Sequence, residues 1–204
     1  MITGTYRRPR TVIECAVKSV GCQDYPALEH IVITDGEDPD TIVALEGAGY
    51  SGAGPRRVVS LGRNWTRPYD NGSNAAICRL VGTYLAAGDI IAVLDDDNFW
   101  EPDHVTGMVA TFEATGADMV CSDFLVPSMS VLAVWDGNPP RVGNIDTSSF
   151  MVRWETLTKA NWQADGYTCD GLYAERLLAA GVRWVRKPGA TVRLPSQRMG
   201  EPDV

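Results

Sequence analysis

The sequence lacks the features that mark membrane proteins and secreted, disulfide-rich proteins. No apolar stretch approaches the ~20 residues needed to cross a bilayer. The N-terminal MITGTYRRPR is not followed by the apolar segment of a signal peptide. The five cysteines are odd in number and show no C-x-x-C pairing. We therefore expect a cytoplasmic protein with reduced, buried thiols and no membrane span.

Positive charge and histidine are also scarce. The chain has 18 Lys and Arg against 26 Asp and Glu, a formal net charge of -8, and 2 histidines. Because proteins that bind nucleic acid usually carry a basic face, we expect no nucleic-acid partner. The 204 residues suffice for one sizeable core, and no composition break, internal repeat or low-complexity segment divides them. We predict a single domain spanning residues 1–204.

What the sequence does contain is an apolar run that ends in three carboxylates. Residues 90–94 read IIAVL and lead directly into Asp95, Asp96 and Asp97. An uninterrupted run of this kind predicts a strand buried on both faces, as in a parallel sheet. Ligands of open α/β sheets bind beyond the carboxyl ends of the strands. Adjacent carboxylates repel one another there unless a cation neutralises them, and their oxygens suit Mg²⁺ or Mn²⁺. A solvated acidic turn is the alternative.

Strand and helix patterns alternate along the first two thirds of the chain. Pro9 favours a helix that continues to Gly21, Asp35-Gly36 follows the second strand, and Pro102 opens the helix after the carboxylates. Predicted strands cover residues 2–5, 30–34, 58–61, 90–94 and 119–121, with a hairpin partner at 131–135. Predicted helices include residues 39–46 and a stripe of Ile77, Leu80, Val81, Tyr84 and Leu85. This order predicts a mostly parallel central sheet with helices on both faces.

The last third has a different character. A turn-rich loop leads to a short strand at 149–152 and a possible helix at 154–162. A helix at 170–180 stops at Gly181, and closing strands are predicted at 183–185 and 190–193. We expect a smaller antiparallel part in this region. The tail, residues 196–204, shows no apolar pattern.

These motifs together resemble the family 2 glycosyltransferases of the GT-A fold, within the nucleotide-diphospho-sugar transferase superfamily. The resemblance rests on TYRRP after the first strand, Asp35-Gly36 after the second, LDDDN after the fourth, and QADGYTCDGLYAERLLAAG near the end. Asp170 lies six residues before Arg176, the interval that the family's catalytic Asp keeps from its arginine. The resemblance implies an α/β, Rossmann-like domain. Residues 1–100 would bind the nucleotide sugar and residues 101–195 the acceptor.

The resemblance also implies a role for each matching residue. Asp170 would be the general base, and Asp97 with Asp95 would bind Mn²⁺ or Mg²⁺. The tyrosine ring would stack on the nucleoside base, Asp35 would accept a hydrogen bond from that base, and Asp95 would reach the ribose or the metal. The donor nucleotide would be bound by Thr3, Thr5, Tyr6, Asp35, Arg79, Asp95 and Asp96.

The implied reaction is a metal-dependent, inverting transfer from a UDP- or GDP-type sugar to an acceptor hydroxyl. The acceptor would be a carbohydrate, a small molecule or a protein, and the oligomeric state stays open. A carboxylate must take the proton of the weakly nucleophilic hydroxyl. One alternative is a sugar-nucleotide nucleotidyltransferase, although TYRRPR lacks the glycine-rich phosphate loop expected of that class. The other is a non-catalytic nucleotide-sugar-binding module.

The sequence departs from the family pattern in three ways. No histidine follows His104, whereas many relatives supply a metal contact from a late histidine. Cys169 replaces the acidic residue that often precedes the base, and Leu80 stands where the family usually has Asn. We therefore expect the metal to be held mainly by Asp97, phosphates and water, or to be weakly bound. His104 itself is expected on a solvated helix face.

Overall fold

A computed structural model of the chain describes residues 1–49, 54–65, 75–126, 131–133 and 138–195. It begins with three short parallel strands, β1 (Ile2–Thr5), β2 (His30–Thr34) and β3 (Arg56–Ser60). The prediction for β2 is confirmed residue by residue, and all five of its residues are buried. β3 begins two residues earlier than residue 58 and ends at residue 60.

A mixed second sheet continues the first. Its order is β4-β8-β6-β9-β5, with β7 pairing the free part of β6. The strands are β4 (Ile90–Ala92), β5 (Phe99–Trp100), β6 (Met119–Val126), β7 (Val131–Ala133), β8 (Phe150–Arg153) and β9 (Trp184–Arg193). A parallel bridge between Ile2 and Val93 joins β1 to the residue after β4. The predicted α/β class with a parallel part and an antiparallel part is confirmed.

Helices cover both sheets and leave two apolar cores. The first helix runs without a break through α1 (Pro9–Val12), a π-helical segment (Ile13–Val17) and α2 (Lys18–Gly21). The others are α3 (Pro39–Gly47), α4 (Ala76–Leu85), α5 (His104–Thr115) and α6 (Cys169–Ala179). One core includes Val12, Leu94 and Trp100, and the other includes Ile2, Ile33 and Tyr173.

The face of α4 that packs on the sheet differs from the predicted stripe. Tyr84 is 65% exposed and Leu85 38% exposed, whereas Cys78, Arg79 and Gly82 are buried. The helix lies so close to β1 that a Cβ on Gly82 would touch the Ile2 side chain. Small residues therefore form the contact, because larger ones would hold the helix away from the sheet.

Several boundaries are also corrected. β4 ends at Ala92, although burial continues to Leu94, and α5 begins at His104 instead of Pro102. The possible helix at 154–162 is a 3₁₀ segment, Trp154–Thr158, and the two closing strands are one, β9. Cys22 is exposed, unlike the buried thiols that the sequence suggested.

Two predicted features lie partly or wholly outside the described residues. Only 131–133 of the hairpin partner predicted at 131–135 are described, and these pair antiparallel with β6 as expected. The tail at 196–204 is not described. Among the described residues, none of the helices has the length and apolar character that crossing a membrane requires.

Candidate active site

Two arginines pair with the three carboxylates of the acidic turn after β4. Residues 91–94 of the apolar run are buried, and the amide N–H of Leu94 donates to the carbonyl of Ile2 at 3.0 Å. Asp95, Asp96 and Asp97 therefore begin where the strand leaves the sheet, at the edge next to the end of β1. This is the edge that the sequence predicted for a ligand site.

Asp96 points back into the protein. Its Oδ2 accepts a hydrogen bond from the Thr5 hydroxyl at 2.8 Å, and its Oδ1 contacts Arg8 Nη1 at 2.7 Å. Burial raises the pKa of Asp96 to about 7, and the Arg8 guanidinium only partly opposes this shift. Asp96 therefore ties the acidic turn to the segment after β1 and has little access to a ligand.

Asp97 shares the same arginine. Arg8 Nη2 lies 3.2 Å from Asp97 Oδ2, and the Asp97 side chain is 19% exposed. Burial and the neighbouring negative charge of Asp95 raise its pKa, while Arg8 lowers it. Asp97 is thus a carboxylate with incomplete charge compensation, which favours a cation beside it.

Asp95 is held by Arg79 from α4. Arg79 Nη2 donates to Asp95 Oδ1 at 2.7 Å, and Nη1 donates to the sulfur of Cys169 at 3.0 Å. The guanidinium also lies over the ring of Trp162, 5.1 Å from its centroid. Burial is the largest single influence and lowers the pKa of Arg79, but the charge and hydrogen bond of Asp95, together with Cys169 and Asp170, outweigh it and the net shift is upward. Arg79 therefore stays cationic and links the acidic turn to the start of α6.

A 3₁₀ turn, Thr147–Ser149, brings a fourth carboxylate to the site. Asp146 caps this turn, and its Oδ1 accepts from the Ser148 N–H at 2.8 Å and from Asn98 Nδ2 at 3.3 Å. The Ser148 hydroxyl in turn accepts from the Asp95 N–H at 3.1 Å and from Asn98 at 2.7 Å. Burial, and then the charge of Asp95, raise the pKa of Asp146 to about 7.

A cleft of about 300 Å³ lies between these elements. Asp95 and Arg79 line one side, and Asp146 and Asp170 approach it from the later part of the chain. Its remaining lining residues include Phe124, Val142, Ile145, Tyr167, Cys169 and Leu194. Asp97 does not line this cleft. The structure thus brings the predicted base and the predicted metal ligand Asp95 into one cavity.

Asp170 stands in the first turn of α6. Its Oδ1 accepts from the Gly171 N–H at 2.7 Å. Burial raises the pKa of Asp170, and the Gly171 N–H and Arg79 oppose this shift. A carboxylate whose pKa is raised is a stronger base than an exposed one. Arg176, which helped to identify the motif, pairs with Asp165 at 2.6 Å and not with Asp170.

Only some of the residues predicted to bind the donor nucleotide lie where a ligand could reach them. Thr3 is fully buried, and its hydroxyl lies 3.0 Å from His30 Nε2, so the structure does not bring it into the site. The Thr5 hydroxyl donates its hydrogen bond to Asp96. Tyr6 is half-buried after β1, and Asp35 after β2 accepts from the Trp65 N–H at 2.8 Å. Tyr6 and Asp35 thus lie at the carboxyl ends of neighbouring strands.

Two site residues were missed in the sequence. Arg8 could have been suspected because it precedes a proline that starts a helix close to the acidic turn. Asp146 carried a signal in the Asp-x-x-Ser pattern of a capping box, but nothing local connects that cap to a cleft. His104 is corrected as well: it is fully buried, stacks on Trp100 at 4.4 Å and contacts Thr191.

The donor atoms present suit a hard divalent cation. No group of three or more His, Cys, Asp or Glu side chains in the described ranges is arranged as a metal site. Asp95 and Asp97 nevertheless supply carboxylate oxygens, and burial and mutual repulsion leave Asp97 in need of positive charge. Such a pair fits an ion that takes its other ligands from a diphosphate and from water.

Several solved structures share this fold. S. aureus TarS 1-349 in complex with UDP-GlcNAc superposes with a TM-score of 0.77 at 18% identity, covering 98% of this chain and 59% of that one. The mannosyltransferase PcManGT from Pyrobaculum calidifontis, in complex with GDP-Man and Mn2+, gives 0.74 at 18% identity, covering 98% and 57%. A second structure of S. aureus TarS gives 0.75 at 16% identity, covering 95% and 36%. The chain therefore spans less than two thirds of each neighbour's length.

At these identities the likeness establishes the fold. No curated protein sequence matches the chain significantly. The sequence does match the family described as "Glycosyl transferase family 2" over residues 1–171. Since this match covers most of the 204 residues, the chain belongs to glycosyl transferase family 2.

Proposed function

We propose that this protein transfers a sugar from a nucleotide-diphosphate sugar to an acceptor hydroxyl, with inversion at the anomeric carbon and with a divalent cation. The observation that carries the proposal is the meeting of Asp95, from the acidic turn, with Asp170, from α6, in one cleft of a family 2 fold. Asp95 acts, through the metal, on the leaving diphosphate, and Asp170 acts on the acceptor hydroxyl.

The donor is proposed to bind at the carboxyl ends of β1 and β2, next to the acidic turn. Tyr6 offers a ring for stacking on the base, and Asp35 offers a buried carboxylate for a base N–H. The neighbouring structures hold UDP-GlcNAc or GDP-Man, which supports a donor of the UDP or GDP type. The acceptor then approaches from the side lined by residues of the later part of the chain.

Asp170 acts as the general base in this proposal. An acceptor hydroxyl is a poor nucleophile at neutral pH, so its proton must pass to a carboxylate as the oxygen attacks. Asp170 lines the cleft, and its raised pKa makes it a better proton acceptor than an exposed Asp. Attack from the face opposite the departing diphosphate gives inversion.

Asp97 and Asp95 would hold Mn²⁺ or Mg²⁺. When bound, the ion supplies positive charge to the diphosphate as it leaves. Arg79 fixes the carboxylate of Asp95, and Arg8 restrains that of Asp97. These two arginines therefore set the orientation of the carboxylates while leaving the turn with a net negative charge.

Thermal unfolding with nucleotides tests the donor site without knowledge of the acceptor. A ligand that binds only the folded state stabilises it by about 2.7 kcal/mol at a hundred times its Kd. We expect UDP or GDP with manganese to raise the Tm of the wild type, and Asp97→Ala to abolish the metal-dependent part. Asp103→Ala is the matched control, because Asp103 is an exposed carboxylate that makes no side-chain cap.

The outcomes separate the candidate functions. Stabilisation that depends on manganese, is lost in Asp97→Ala and is kept in Asp103→Ala supports the transferase. Absence of a shift with every diphosphate tested contradicts the donor site. Binding of a nucleotide sugar without release of the nucleoside diphosphate, even with acceptors present, would favour a non-catalytic module.

A further inference from the structure

The wall of the cleft that carries Asp146 has no assigned role in the transfer described so far. Asp146 lines the cavity together with Asp170 and Asp95, although it comes from a different segment than either. Its Oδ1 is fixed by Ser148 and Asn98. A carboxylate can accept about four hydrogen bonds, so these two leave capacity for a ligand.

The cleft is also unbalanced in charge. Among the described residues that line it, the carboxylates are Asp95, Asp146 and Asp170, and the single cationic group is Arg79. Arg79 is engaged by Asp95 at 2.7 Å. If Asp95 serves the metal and the donor, the region around Asp146 and Asp170 keeps a negative charge that no described lining residue neutralises.

The neighbouring lining is apolar and partly accessible. Val142 is 38% exposed and Tyr167 53% exposed, and both border the cavity. A sugar ring has an apolar face that packs on such side chains and a rim of hydroxyl groups that need acceptors. Asp146 and Asp170 are the carboxylates that can meet this rim.

We propose that Asp146 binds the acceptor beside the attacking hydroxyl, and that it selects acceptors which place a hydrogen-bond donor there and carry no negative charge. The inference rests on the proposed function, since it assumes that Asp170 takes the proton of the neighbouring hydroxyl. A hydroxyl or an ammonium group bonds to Asp146, and an ammonium group gains the additional attraction of opposite charges. A carboxylate or phosphate at the same position meets two like charges.

The test compares three probes of similar size that differ at the same carbon, C6: methyl glucopyranoside, its 6-amino-6-deoxy analogue and methyl glucuronide. Binding is measured calorimetrically at pH 8, above the pKa of about 7 that burial gives Asp146, on the full chain with manganese and the diphosphate that stabilises it. We expect the cationic probe to bind at least about 10-fold more tightly than the anionic one, the size of effect expected for one charge-assisted hydrogen bond. In Asp146→Asn this ratio should fall by about 10-fold.

The variant and its control separate recognition from folding. Asn can still cap the Thr147–Ser149 turn, so Asp146→Asn should keep the wild-type response to the diphosphate. Asp118→Asn is the matched control, because Asp118 also accepts a backbone N–H, from Arg183 at 2.9 Å, but lies outside the cleft. It should keep the wild-type ratio.

Three results would overturn the inference: equal binding of the anionic and cationic probes, an unchanged ratio in Asp146→Asn, or no binding of the cationic probe to the wild type. Each of these leaves the proposed function standing as long as the diphosphate still stabilises the protein. Failure of the diphosphate to bind contradicts the proposed function instead, and the inference fails with it.

Discussion

At the scale of single residues, burial shifts the pKa of the acidic groups in the site more than any charged neighbour does. It is the largest cause of the raised pKa at Asp96, Asp97, Asp146 and Asp170. Arg8 and Arg79 oppose the shift without cancelling it. The site therefore holds carboxylates that are costly to ionise, which suits one that must accept a proton and others that receive a cation.

Asp170→Asn should remove the general base and keep the donor site. We expect turnover to fall by about 10²–10⁴-fold, while the stabilisation by the diphosphate stays that of the wild type. Because the base works in its ionised form and its pKa is raised, kcat/KM of the wild type should rise with pH through an acidic limb above the ordinary Asp value of about 3.9. Release of the nucleoside diphosphate, followed across pH, measures both quantities. An unchanged limb in the residual activity of the variant would assign the base to another residue.

Asp96→Asn should change how stability depends on pH. The pKa of Asp96 is about 7 in the folded protein and about 3.9 when unfolded, so folding favours its protonated form. This contribution is fully present below about pH 4 and is lost as pH rises through 7. Asn removes the titration. Its amide oxygen can accept from Arg8 in place of Oδ1, and its amide NH₂ group can donate to the Thr5 hydroxyl in place of Oδ2. The variant should therefore gain stability relative to the wild type between about pH 5 and pH 8, by at most about 4 kcal/mol.

Urea denaturation at several pH values, in buffer with a chelator, measures this difference. Asp118→Asn is the matched control, because it makes the same substitution at a half-buried carboxylate that lies outside the acidic turn. Parallel curves for Asp96→Asn and the wild type would show that Asp96 is ionised in the folded protein at acidic pH, in contradiction to the raised pKa.

At the scale of elements, α4 shows why a helical apolar stripe did not identify the buried face. The tight contact with β1 selects small residues, and the larger apolar side chains of Tyr84 and Leu85 point outward. Arg79 occupies the buried face as well, where Asp95 and Cys169 bind its guanidinium. A prediction from hydrophobicity alone therefore does not identify such a face as the buried one.

Two glycines in helix interiors provide a matched test of this packing. A Cβ on Gly82 of α4 would lie 2.9 Å from Ile2 Cγ1 and 3.1 Å from Ile33 Cδ1, both in the core. A Cβ on Gly107 of α5 would meet only the far end of the flexible Lys187 side chain. Alanine favours a helix by about 1 kcal/mol over glycine, whereas overpacking a core costs about 1–3 kcal/mol.

We therefore expect opposite results from the two substitutions. Gly82→Ala should lower the free energy of unfolding, by up to about 2 kcal/mol after the gain in helix propensity. Gly107→Ala should leave it unchanged or raise it by up to about 1 kcal/mol. Urea denaturation of both variants measures these changes. Equal stabilisation by both would show that α4 can move away from β1 at little cost.

At the scale of the whole molecule, the part of the chain beyond the family match completes the second sheet. The match ends at residue 171, within α6. β9 then pairs in parallel with β6, from Met119 opposite Trp184 to Leu125 opposite Arg193, and also pairs with β5. Val192 of β9 is fully buried in the core that contains Trp100.

A fragment of residues 1–171 should therefore not fold cooperatively. It would lose β9 and most of α6, and it would expose the apolar surfaces of β5 and β6 that they cover. We expect the fragment to lack near-UV circular dichroism and a sharp thermal transition, both of which the full chain should show. A native-like transition in the fragment would mean that the family-matched part is stable alone.

The sequence alone determined the features that depend on neighbouring residues. The apolar run before Asp95, the strand His30–Thr34 and the helix that begins beside Asp170 follow from local pattern, and the order of these motifs led to the correct family. Such features need only short-range information, because the alternation of apolar residues reflects which faces a strand or helix buries.

Only the tertiary structure decided which side chains meet. Thr5 binds Asp96, Arg79 links Asp95 to Cys169, and Asp146 reaches the same cleft as Asp170. The sequence signals nothing of these contacts, because they form between segments far apart in the chain and depend on how the two sheets join. Thr3 shows the converse. The family resemblance implied a nucleotide contact for Thr3, but the residue is fully buried in β1 and its hydroxyl lies against His30.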